Sequence, residues 1–137
     1  MDIVIKTTSR VLFPFMLLFG TYLAFHGHLS PGGGFPAGAV IGTAFVLLLI
    51  AFREKDVEKK LPEWKIADFK SIISLALVFM VLGEFYLREK ILLHQRLFDL
   101  WSGGETLVLN ILGSIVVASA IIIIAYSFMK EEWKGIQ

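Results

Sequence analysis

Between residues 11 and 52 the chain carries no Lys, Arg, Asp or Glu. About 20 apolar residues cross the ~30 Å hydrocarbon layer of a bilayer as an α-helix, so this run is too long for one span. The segment 26–34, His-Gly-His-Leu-Ser-Pro-Gly-Gly-Gly, divides it. Three glycines behind a proline break a helix and let the chain reverse. The pattern therefore predicts spans over 5–25 and 35–52, and two later apolar runs predict spans over 69–87 and 106–129. Pro14 falls in the first turns of the first span, where neighbouring helices can satisfy the freed carbonyl. Pro36 falls in the first turn of the second, where its missing N–H has no intrahelical partner to lose. The expected fold is all-α: an integral membrane bundle of four transmembrane helices, forming one domain over residues 1–137.

Composition agrees. Hydrophobic residues make up 56% of the chain and the mean hydropathy is +0.74, against roughly 45–50% apolar content in a soluble domain. A secretory signal peptide is not expected at the start, because no A-x-A-like site follows the first run and a second span comes at once. Orientation follows from the basic residues. Ten of the thirteen Lys and Arg residues fall at the N-terminus, in the 53–70 connection or in the C-terminal tail. The opposite side holds Arg88, Lys90 and Arg96. The heavier side belongs in the cytoplasm, so both termini are expected there, in a multi-pass protein of the cell membrane. Trp64, Trp101 and Trp133 fall near the expected boundaries, and residues 90–101 mix apolar and charged positions as an interfacial helix does.

The candidate chemistry is sparse. The chain has no cysteine, hence no disulfide or thiolate site. It has no Gly-Lys-Ser/Thr phosphate loop and no nucleophile or zinc-protease motif, so a non-catalytic subunit without cofactor is expected. His26 and His28 stand two apart, do not share a helix face and have no third ligand nearby; they suit polar capping or proton relay rather than a metal. The connection 53–70 mixes signs (EKDVEKK), which argues for a solvated connector and against a nucleic-acid or lipid-binding basic patch. Asp99 and Glu105 flank Gly103-Gly104 as turn residues or as a cation-attracting vestibule.

Gly34, Gly38 and Gly42 recur every four residues and form one smooth stripe; Asn110, Ser114 and Ala118 repeat the spacing in the fourth span. Such stripes let helices approach closely. The exposed backbone of the break could instead border an ion or water path. Glu84 is the carboxylate expected well inside the hydrocarbon, either pairing with Arg88 one turn on or facing a proton or cation path. One buried carboxylate is too little for a self-sufficient transporter. The small-residue stripes ask for neighbouring helices, and a sister protein is expected to cover the glycine track. A shift of 71 places Leu29, Gly32, Gly33 and Gly42 on Leu100, Gly103, Gly104 and Gly113, a weak echo of duplication.

The run His26-Gly-His-Leu-Ser-Pro-Gly-Gly-Gly-Phe-Pro-Ala-Gly38 resembles the signature of the MrpB or MnhB subunit of the multisubunit Na⁺/H⁺ antiporters. The four-span plan with a basic second connection is similar as well. Related subunits occur in archaeal membrane-bound hydrogenases and sulfur-reducing complexes. The resemblance implies a subunit contributing to cation/proton translocation at a subunit interface. Its partners would be other antiporter-module subunits and membrane lipid, with Na⁺ and H⁺ as the transported ions. It also implicates Pro31 and Phe35 in Na⁺ transport, beside Glu84, His26 and His28 as ion-path candidates. Where the family has a Gly-Gly pair, this chain reads Ala37-Gly38, which stays small. The alternative is a purely structural subunit. One Asn, two Gln and many Lys and Glu fit a heat-adapted source and lean toward an archaeal respiratory host.

Overall fold

The computed structural model describes residues 3–29, 32–52, 59–91 and 104–134. They form four helices: α1 (Ile3–His26), α2 (Gly34–Ala51), α3 (Glu63–Ile91) and α4 (Gly104–Lys134). Each contains a stretch long and apolar enough to cross a membrane. The all-α, four-helix membrane fold is what the apolar runs predict. α3 and α4 run past the apolar windows 69–87 and 106–129, because backbone hydrogen bonding continues into the polar flanks after the apolar run has ended.

Three helix ends have visible causes. α1 stops before Gly27, and the reversing chain is tightened by a hydrogen bond from the Leu29 N–H to the His26 carbonyl at 3.0 Å. α2 starts after Gly33, whose φ of 126° favours glycine; its carbonyl accepts the first helical bond, from the Ala37 N–H at 3.2 Å. Ahead of α3, the Pro62 carbonyl accepts from the N–H groups of Lys65 and Ile66 at 3.1 and 3.3 Å.

α2 is the middle of the bundle. It packs on α1 along one side and, most extensively, on α4 along the other, while α3 packs on the α4 side of the molecule. On α1 the contact uses small residues: Ser9, Gly20 and Ala24 are buried. A Cβ at Gly20 would stand 2.5 Å from Cγ1 of Ile41, so no larger residue fits there without a shift. Phe13 meets Phe45 edge-on at 5.2 Å between ring centres, and the Arg10 guanidinium lies over the Phe52 ring at 5.1 Å.

An enclosed apolar cluster joins α2 and α4 near the end of the bundle where α2 finishes and α3 starts. Leu49, Ile122 and Tyr126 form it, with Ile66 of α3 against them. There the Tyr126 hydroxyl donates to the Leu61 carbonyl at 2.8 Å, tying α4 to the chain just ahead of α3. Farther along, α3 is half covered on a stripe of Ile66, Lys70, Ile73, Leu77, Met80 and Glu84, at helical spacing, and exposes most of its remaining apolar side chains.

Serine and threonine hydroxyls are mostly silenced inside their own helices. Ser9, Thr21, Thr43, Ser114 and Ser119 each donate to a carbonyl three or four residues back, an arrangement that removes an unpaired donor from an apolar setting.

Candidate functional site

At the hairpin end, the Gly32–Gly33 break sits against the one asparagine of the chain. The Asn110 side chain projects from α4, and its Oδ1 accepts a hydrogen bond from the Gly34 N–H at 3.3 Å. Gly34 opens α2, so this N–H has no partner within its own helix. Accepting it fixes the amide orientation, since only the oxygen can accept. Nδ2 then lies on the Gly27 side: a Cβ on Gly27 would stand 2.7 Å from Nδ2 and 2.5 Å from the Gly33 Cα. Gly27 and Gly33 thus leave just enough room for the carboxamide. Nδ2 is buried and has no hydrogen-bond partner among the described residues. A buried donor left unmatched costs about 1–3 kcal/mol, so the site carries one unused polar function.

Below the break the two small-residue stripes meet in register, with α2 and α4 running in the same direction. A Cβ on Gly34 would come 2.9 Å from the Asn110 carbonyl oxygen. One on Gly38 would come 2.6 Å from the Ser114 carbonyl oxygen, and one on Gly42 3.2 Å from the Ala118 Cα. Backbone approaches backbone over two helical turns. Ala37, beside Gly38 on this face, is completely buried. The expected sister protein on the glycine track is corrected here: α4 of the same chain covers it. The reason is register, since both stripes repeat every four residues and two parallel helices bring them face to face, step for step.

The described ion-path candidates come from two parts of the chain, His26, His28 and Phe35 from the hairpin and Glu84 from α3. His26 stacks on Tyr22 at 4.4 Å between ring centres, and both side chains are exposed. His28 is half covered in the turn. Phe35, one residue into α2, is 73% exposed and points away from the bundle. Glu84 lies on the half-covered stripe of α3, a helix that packs on α4. Pro31, Asp99, Trp101, the interfacial stretch 92–100 and the side chains of Arg88, Glu105 and Trp133 lie outside the described residues.

Sequence reasoning missed the part played by Gly27 and Gly20, which belong to no stripe, and the Tyr126–Leu61 tie. The one available signal for the hairpin was that the chain's single Asn stands on the same i, i+4, i+8 row as Ser114 and Ala118.

The described residues define a four-helix bundle of membrane-spanning type, with a glycine-broken hairpin docked on a polar side chain of α4. The chain belongs to the family described as "Domain related to MnhB subunit of Na+/H+ antiporter", which matches residues 4–129. A protein of Staphylococcus epidermidis named "Putative antiporter subunit mnhB2" is 39% identical over 72 residues, covering 53% of this chain and 48% of the relative. Its namesake in Staphylococcus haemolyticus is 38% identical over the same length, and that in Staphylococcus aureus strain Newman 39% over 61 residues. The chain thus spans about half the length of the curated relatives it matches.

Proposed function

We propose that the chain is a non-catalytic subunit of a Na⁺/H⁺ antiporter assembly, contributing to cation and proton translocation where it meets another membrane subunit. Na⁺ and H⁺ are the transported ions, and other antiporter subunits and lipid are the partners. The observation that carries the reading is the glycine-broken backbone ahead of α2, held by the Asn110 carboxamide through the Gly34 N–H at 3.3 Å. Irregular backbone at membrane depth is tolerated where it is buried in protein or lines a cavity, and it supplies polar groups there. Phe35, exposed next to the break, is the contact offered to a neighbouring subunit; Glu84, on α3, is the second candidate. The topology proposed has both termini in the cytoplasm, supported by ten of the thirteen basic residues.

The test uses the assembled complex in everted vesicles. Phe35→Ala and Glu84→Gln should each lower Na⁺-driven proton exchange while blue-native gels show normal assembly. Unchanged exchange in both variants would leave the purely structural reading, which the sealing of the glycine track by α4 favours. The finer host assignment, an archaeal membrane-bound respiratory complex, rests on the Lys/Glu-rich composition alone, and the named relatives are staphylococcal. A hydrogenase large-subunit gene beside this one supports that host; antiporter genes alone remove it.

A further inference from the structure

Between α2, α3 and α4, toward the end where α3 starts, lies a cavity of about 460 Å³. Ile41, Phe45, Ile66, Phe69, Ile115 and Ile122 supply its apolar walls. The polar groups around it are already used. The Ser119 hydroxyl donates to the Ile115 carbonyl at 2.7 Å, the Leu61 carbonyl accepts from Tyr126, and the Pro62 carbonyl accepts from two N–H groups. Water entering such a space finds few partners. The side chains of Lys60 and Lys65 also border the cavity, and both residues are exposed. Neither forms an ion pair among the described residues: Glu63, the nearest described acid in sequence, reaches instead to Lys130 at 3.8 Å. Lys65 rests its ammonium over the Trp64 ring at 5.4 Å, and Trp64 is 63% exposed, as an aromatic at headgroup depth is.

We infer that this cavity holds one anionic phospholipid, an acyl chain among the apolar walls and its phosphate at Lys60 and Lys65. Apolar walls with two exposed cations on them match an amphiphile that is greasy along its length and negative at its head. The volume falls within the ~300–1,000 Å³ range of small-molecule sites. An apolar helix of another subunit could fill the slot but would bring neither lysine a counter-charge. The mixed charge of the linear sequence around Lys60 gave no sign of this arrangement, in which Glu63 reaches toward Lys130 of α4. Either orientation of the termini leaves the same two lysines at the same cavity.

The test is native mass spectrometry of the assembly carrying the full chain, extracted from vesicles of equal phosphatidylglycerol and phosphatidylcholine. The wild-type subunit should retain one phosphatidylglycerol, with a preference of roughly 10- to 30-fold, the worth of two lysines at an anionic lipid surface. Lys60→Gln with Lys65→Gln, both exposed and harmless to packing, should bring that preference close to one. Ser119→Phe, which fills the cavity, should abolish retention of either lipid. Equal retention of the two lipids by the wild type, or an unchanged preference in the double variant, overturns the inference. So does a photoreactive residue at Ile115 that crosslinks to a neighbouring subunit instead of lipid.

Discussion

Asn110 and Gly34, 76 residues apart in sequence, are joined by a 3.3 Å hydrogen bond from the Gly34 N–H to Oδ1 of the asparagine. The bond satisfies an orphan donor at the start of α2 and pins the hairpin to α4. No lipid group could do this from outside, since the carboxamide is enclosed between Gly27 and Gly33. The side chain therefore acts at the point where the backbone is least regular.

Asn110→Ala should cost about 1–3 kcal/mol of stability, the penalty of leaving a buried N–H without acceptor. Asn110→Asp should cost more, since it retains the acceptor but buries a charge. Reversible unfolding in mixed micelles measures both. A neutral Asn110→Ala would show that the hairpin holds itself.

Gly38→Val should separate α2 from α4, because even its Cβ would stand 2.6 Å from the Ser114 carbonyl oxygen and from Val117. Gly83→Ala is the internal control. Nothing lies within 4 Å of a Cβ there, so it should be neutral or stabilise by about 0.5–1 kcal/mol through helix propensity. Equal effects of the two substitutions would contradict the observed packing.

Gly33→Ala should destabilise by roughly 1–3 kcal/mol although space is available, because its φ of 126° strains any L residue. The nearest atom to an added Cβ is Oδ1 of Asn110 at 3.5 Å, an ordinary contact. Loss without steric clash, seen as a lower thermal midpoint with unchanged α2–α4 crosslinking, separates strain from crowding.

Tyr126→Phe should loosen the start of α3 by removing the 2.8 Å bond to the Leu61 carbonyl, at a net cost of about 0.5–1.5 kcal/mol. Amide exchange should rise at residues 61–66 and stay unchanged at the hairpin. The Lys130–Glu63 pair, 3.8 Å apart with an exposed lysine and a half-covered glutamate, is too weakly held to replace it.

The cysteine-free chain makes topology readable. In intact cells an impermeant maleimide should label Leu29→Cys, an exposed hairpin position, and should reach Lys60→Cys only after permeabilisation. The reverse pattern would invert the proposed orientation.

The sequence by itself determined the number of spans, the place of the break and the two small-residue rows. Each of these is local: a run's length against the thickness of lipid, the conformational freedom of consecutive glycines, and the four-residue spacing of a helix face. Only the tertiary structure decided what each row meets. Two rows at equal spacing can pair within one chain or across two, and nothing in either row says which. The parallel packing of α2 on α4 chose the first, and in doing so set Asn110 into the hairpin. It left Phe35 on an outer face and Glu84 on the half-covered stripe of α3, and it set Lys60 and Lys65 beside an apolar slot, because long-range register, not spacing along the chain, determines which side chains become neighbours.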